Sequence, residues 1–138
     1  MALAEDIGSF EKRIDVLQKL GHVLLLQDKL PDAKKLFEDS LALTKTDNRI
    51  REQSISLCGI ATILSRQSSY EQALALFNKA IPLSERIHDV AGKDSALYGM
   101  AEINYALGRH EEASRLYRAS THLDHSQETQ TDTRHLGT

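Results

Sequence analysis

The chain has 138 residues and a net charge of -3 at pH 7, with 41% hydrophobic and 27% charged residues. This composition is typical of a folded domain and excludes wholesale disorder. Because the weak negative charge has both signs interspersed, it argues against nucleic acid and anionic membrane surfaces as partners.

An eleven-residue phrase occurs three times along the chain, as LPDAKKLFEDS, YEQALALFNKA and HEEASRLYRAS. The fourth residue of each phrase is alanine, an aromatic residue follows it four positions on, and a small residue precedes it by twelve. These positions recur every 40 residues: Ala33, Ala73 and Ala113; Phe37, Phe77 and Tyr117; Gly21, Ala61 and Ala101. Two apolar stripes at helical spacing in each unit predict a pair of helices per unit.

Taken in chain order, the stripes and the breaks between them predict six helices. The expected helices cover residues 10–27, 31–45, 48–67, 70–87, 90–107 and 110–123. Pro31 suits a first helical turn, Ser68 or Ser69 is expected to cap the fourth helix, and Gly108 is expected to end the fifth. We therefore predict a lead at 1–9, a repeat domain at 10–123 with units at 14–47, 54–87 and 94–123, and a polar, disordered tail at 124–138.

This pattern of a small residue, an alanine and an aromatic residue on paired helices resembles the tetratricopeptide repeat (TPR). The 40-residue period is similar to that of the long-repeat adaptors, such as G-protein-signalling modulators and kinesin light chains. The resemblance implies an all-α, right-handed helical solenoid of three helix-turn-helix units. It also implies a concave groove, lined by the first helix of each pair, that binds a peptide or helix of a partner protein.

The groove positions of the family include eight peptide-groove candidates in this sequence, and Arg66 is added as a candidate anchor. The nine candidates are Gln18, His22, Leu25, Cys58, Thr62, Arg66, Tyr98, Glu102 and Tyr105. The tyrosines either anchor a peptide or pack against a neighbouring helix, and His22 lies either in the groove or on plain surface. Cys58 is expected to be a small groove side chain and not a reactive thiol, because no basic residue of its helix is placed to lower its pKa.

Motifs that the sequence lacks argue against several classes of partner and cofactor. The clamp that binds chaperone C-terminal tails needs lysine, asparagine and arginine, but Gln18, His22, Thr62, Ser95 and Gly99 stand at those positions. No phosphate-binding loop or nucleophile motif is present, so neither an enzyme nor a cofactor is expected. A single cysteine, with no apolar run that spans a bilayer, favours a cytoplasmic protein.

The C-terminal end leaves two questions open. Repeat arrays usually end in a polar helix, whereas here the last apolar stripe has no successor. The face that contains Leu116, Tyr117 and Leu123 is therefore expected to be either exposed or covered by another segment. It either supports self-association, which is the alternative to groove binding, or marks a missing continuation if the chain is a fragment. In the tail, His122, Asp124, His125 and His135 permit a metal site, although a disordered polar tail without metal is the preferred interpretation.

Overall fold

The computed structural model of the protein describes residues 2–46 and 49–121, which form six helices and no strand. The helices are α1 (Ala2–Leu26), α2 (Leu30–Thr46), α3 (Ile50–Arg66), α4 (Tyr70–Arg86), α5 (Val90–Ala106) and α6 (His110–Thr121). Each helix packs against its neighbours in chain order, and α1, α3 and α5 also contact one another in sequence. The predicted all-α solenoid of three helix pairs is confirmed.

Turns of uniform length join the helices, so that α2 to α6 begin 20 residues apart. The second-last residue of each described turn has left-handed backbone geometry: φ is 61° at Asp28, 63° at Ser68, 55° at His88 and 79° at Gly108. This geometry lets the following amide donate to the carbonyl five residues earlier, as from Ser69 to Leu64 at 2.8 Å. Only Gly108 is a glycine, so the sequence signal for these turns is weak.

The predicted start of α1 and the predicted cap of α4 differ from the structure. Helix α1 begins at Ala2 and not near residue 10, because the first nine residues hold helix-forming residues without the apolar period that guided the prediction. Ser69 occupies the position before α4 but makes no side-chain hydrogen bond there, while Ser68 is the left-handed turn residue. A side-chain cap is found instead on α5, where Gly92 N–H donates to Asp89 Oδ1 at 3.0 Å.

The core is built around the aromatic residue of each second helix, and we call Phe37, Phe77 and Tyr117 the repeat aromatics. Phe37 and Phe77 are 0% and 1% exposed. Phe37 packs against Gly21 of its own unit and against Gly59 of the next unit, where an added Cβ would lie 2.7 Å from the ring. Phe77 packs in the same way against Gly99. Glycines therefore let each first helix approach the preceding second helix closely.

Small polar side chains inside the solenoid also join one unit to the next. Gln18 Nε2 donates to Glu52 O at 2.9 Å and to Ser56 Oγ at 3.0 Å, and Ser56 donates in turn to Ser40. Gln18 and these serines are buried, so their hydrogen bonds are made away from water. This chain of contacts fixes α1 against α3 and α3 against α2.

The prediction of an uncovered apolar end was wrong for Leu116. Leu116 is 2% exposed, as is Ala113, because the apolar stripe of α6 faces inward onto α5. The outward side of α6 carries the exposed polar residues Ser114, Arg115 and Arg118. Tyr117 is half-buried, and Leu123 lies outside the described residues together with the rest of the tail.

Candidate functional site

A cleft of about 400 Å³ runs across α1, α3 and α5, the first helices of the three pairs. Each helix contributes residues of a single face, at spacings of three, four or seven positions. The cleft is lined by His22, Leu25, Cys58, Gly59, Thr62, Ser65, Arg66, Phe77, Ser95, Tyr98, Gly99 and Glu102. Seven of the nine groove candidates are among these residues.

The floor of the cleft is set by Gly59 and Gly99, the glycines that pack against the repeat aromatics. Since neither residue has a side chain, both leave room in the cleft, and the Phe77 ring also lines it. The Tyr98 side chain lies at the α5 edge and is 52% exposed. A buried apolar floor beside an exposed aromatic ring is the kind of surface that anchors a partner side chain.

On the α1 side, His22 and Leu25 line the cleft opposite Arg66 of α3. The His22 ring meets the Phe37 ring edge to face, with centroids 5.0 Å apart, and burial lowers the pKa of His22. Burial therefore favours the neutral imidazole at pH 7, in which one ring nitrogen can donate a hydrogen bond and the other can accept one. Arg66 Nη1 donates to Leu25 O at 3.1 Å, which holds the guanidinium across the gap between α1 and α3.

Cys58 lies at the centre of the cleft and is half-buried. Burial raises the pKa of its thiol to about 11; a hydrogen bond with Ser54 opposes this shift and the charge of Asp89 adds to it. The thiol is thus protonated at neutral pH. This agrees with the interpretation of Cys58 as a groove side chain without nucleophilic chemistry.

We expect Cys58 to react with iodoacetamide roughly a hundred-fold more slowly at pH 8 than a free cysteine of pKa about 8.5, because so little thiolate is present. The rate should keep rising until the pH approaches the raised pKa of about 11. Mass spectrometry of the alkylated protein measures this rate, and the same protein in urea provides the control. Equal rates in the folded and unfolded protein would contradict the protected thiol.

Two groove candidates do not line the cleft. Gln18 is 6% exposed and its amide is used in the hydrogen bonds to α3, so the prediction that it faces a ligand was wrong. Tyr105 is 63% exposed but lies beyond the cleft, where its ring meets His110 at a centroid distance of 6.0 Å.

A second cavity, of about 370 Å³, lies between α5 and α6. Tyr98 and Tyr117 meet edge to face in its wall, with centroids 5.5 Å apart, and Tyr105 forms another part of the wall. The Tyr117 hydroxyl donates to Glu102 Oε2, and this hydrogen bond raises the pKa of Tyr117 to about 12. Tyr98 thus lines both cavities. Glu102 lines the cleft and also accepts the hydrogen bond from Tyr117, which lines the second cavity.

Sequence analysis placed Gly99 at a clamp position but counted neither Gly59 nor Gly99 among the groove candidates. Both stand 22 residues after a repeat aromatic, and this recurrence at the 40-residue period was the available signal. Within residues 2–46 and 49–121, no three histidine, cysteine or acidic residues are grouped to hold a metal ion. The histidines of the metal alternative lie in the tail, outside the described residues.

Comparison with known proteins supports the assignment of the repeat. A family model described as the tetratricopeptide repeat matches residues 52–124, more than half of the chain. The crystal structure of the TPR domain of Arabidopsis FLU is similar, with a TM-score of 0.73 and 21% sequence identity over 81% of this chain and 94% of that chain. This likeness concerns the fold. A search of curated proteins found no match.

Proposed function

Because the chain belongs to the tetratricopeptide-repeat family, we propose that it is a non-enzymatic adaptor that binds a segment of a partner protein in the cleft. Domains of this family generally mediate protein–protein interaction. The observation that carries the proposal is the cleft itself, in which one face of each first helix meets an apolar floor and an exposed tyrosine.

The lining of the cleft indicates what kind of segment would bind. The floor at Phe77 accepts an apolar side chain, while Thr62, Ser65 and Ser95 offer hydroxyl groups around it. Arg66 and Glu102 supply opposite charges on α3 and α5. We infer a ligand segment with one apolar anchor between polar residues, bound without the lysine and asparagine clamp for a terminal carboxylate.

We place the protein in the long-repeat subtype, since the second helices begin at residues 30, 70 and 110 and so repeat every 40 residues. Its single cysteine, held protonated, suits a reducing compartment such as the cytoplasm. No helix in the described part of the chain is both long and apolar enough to cross a bilayer.

Tyr98→Ala and Tyr105→Ala are expected to have different effects on partner binding. Tyr98 lies in the cleft and Tyr105 does not. Only Tyr98→Ala should therefore lower the affinity for a partner bound in the cleft, by about ten-fold or more. The measurement is affinity capture from native extract with mass-spectrometric identification, followed by titration of the identified segment against each variant.

Thr62→Arg is a further variant for this test and the second one in the cleft, since it fills the cleft without removing a core side chain. Circular dichroism should show that all three variants keep the helical fold. If the captured segment binds Tyr98→Ala and Thr62→Arg as tightly as it binds the wild-type protein, the cleft is not the binding site.

Self-association remains the alternative function, with a different surface from the one predicted. Leu116 is buried, so its side chain is not available to another copy. The exposed apolar side chains of α1 offer a surface instead: Val16, Leu20, Val23 and Leu26 are 45% to 82% exposed. Sedimentation velocity over a range of concentrations distinguishes the two functions, because a cleft adaptor stays monomeric.

A further inference from the structure

The side of α6 that no described helix covers and the adjoining side of α5 form what we call the C-terminal face, whose lining includes Tyr98, Tyr105, Ser114, Tyr117, Arg118 and Thr121. One repeat earlier, the equivalent side of α4 is covered by α5, which places Gly99 against Phe77. Tyr117 is the third repeat aromatic. Helix α5 contacts one side of it, and no described helix covers its outward side. Phe77 is 1% exposed, whereas Tyr117 is only half-buried beside the second cavity.

We propose that the C-terminal face docks an α-helix of a partner protein, and that this helix carries a glycine where it contacts Tyr117. This binding site lies beside the cleft, with which it shares Tyr98, and the proposal does not depend on the cleft function. It continues an interface that the chain already makes twice, between Phe37 and Gly59 and between Phe77 and Gly99.

The two internal copies of this interface define the sequence that the partner helix must have. The covering helices α3 and α5 present a small residue, a glycine three positions on, an apolar residue next to it, and an isoleucine three positions further. These residues are Ser56, Gly59, Ile60 and Ile63 in α3, and Ala96, Gly99, Met100 and Ile103 in α5. The buried positions of this pattern face the preceding unit, as the Ser56–Ser40 hydrogen bond shows for α3.

A second copy of this chain is a poor occupant of the C-terminal face. Its first helix, α1, presents Val16, Lys19, Leu20 and Val23 at the same four positions. Lys19 takes the place of the glycine, and a lysine there would collide with the ring of Tyr117 and lose its hydration. Head-to-tail stacking in the geometry of the internal units is therefore blocked at Lys19.

The tail of this chain lacks the required pattern as well. Residues 122–138 contain no alanine, and their single glycine is Gly137, next to the last residue. No isoleucine is present to follow a glycine. Residues 122–138 therefore do not supply the docked helix.

The test uses the full chain and a fluorescent, hydrocarbon-stapled helical peptide with the sequence of α5, Val90–Ala106. The staple is placed on the side of the peptide away from Gly99, because a free helix of this length is marginal in water. Anisotropy should show binding of this peptide, and the matched peptide with Gly99→Lys should bind about ten-fold more weakly or worse.

Variants of the protein show where on its surface the peptide binds. Ser114→Arg places a long cation on the C-terminal face and should weaken peptide binding by about ten-fold, while Gln72→Arg adds the same side chain at an exposed position of α4 and should have no effect. Thr62→Arg, which blocks the cleft, should also leave peptide binding unchanged. Failure of cleft binding and failure of this proposal are thereby distinguished.

Three results would overturn the proposal. The first is that the α5 peptide does not bind, or that its Gly99→Lys form binds equally well. The second is peptide binding that Thr62→Arg abolishes and Ser114→Arg does not, which would assign the peptide to the cleft. The third is concentration-dependent self-association that Ser114→Arg abolishes, which would make a second copy the occupant.

Discussion

Phe77→Ala is expected to destabilise the fold by about 3 to 5 kcal/mol, because it removes a fully buried ring from the middle of the solenoid. Its ring packs against Gly99 of the next unit and also forms the floor of the cleft. The loss is a large part of the roughly 5 to 15 kcal/mol by which a typical domain is stable. Urea denaturation followed by circular dichroism measures the free energy of unfolding.

Leu26→Ala is the matched control for Phe77→Ala, because Leu26 is 82% exposed at the end of α1. It removes a large apolar side chain that packs little, so the free energy of unfolding should change by less than about 0.5 kcal/mol. If the two variants have similar stability, Phe77 does not hold the units together.

Gly99→Ala is expected to destabilise the protein by about 1 to 3 kcal/mol, although the same change in an ordinary helix interior is stabilising. The added methyl group would overlap the buried Phe77 ring, so the ring could move aside only by giving up its core packing. Gly8→Ala provides the opposite control. No atom lies within 4 Å of a Cβ at Gly8, so alanine there should stabilise the protein by about 0.5 to 1 kcal/mol.

The double variant Gly99→Ala with Phe77→Ala tests the cause of this effect. Once the Phe77 ring is absent, the methyl group at position 99 meets no obstacle, so its cost should disappear. The two changes should therefore be strongly non-additive, as expected for residues in direct contact. Additive losses would show that Gly99 is required for a reason other than the Phe77 ring.

Much of the fold followed from residues that recur at a fixed spacing. Ala73 and Phe77 must be buried in every unit, and the period that burial imposes is visible without coordinates. The start of α1 was not visible in this way, because Ala2 to Ser9 form helix without an apolar stripe that repeats the pattern. Local propensity alone extends α1 there.

The candidate site was predicted less completely, for reasons that individual residues make clear. A family position places Gln18 on the groove, but spacing along a helix does not reveal that its amide reaches Glu52 and Ser56 of α3. Likewise, the stripe that contains Leu116 shows which side of α6 is apolar but not whether α5 already covers it. Both errors concern which neighbour occupies a helix face, and a one-dimensional pattern does not contain that information.

The uniform turns between the helices also determine how the chain folds. Among the described helices, each contacts only helices one or two places away in chain order. Forming one helix pair therefore closes only short loops of the chain. Proteins whose contacts are mostly between residues close in sequence fold rapidly. Of these helices, α1 and α6 have described neighbours on one side only, whereas α3 and α4 are held on both. The described helices should therefore fray inwards from α1 and α6, so amide exchange is slowest in the central helix pair.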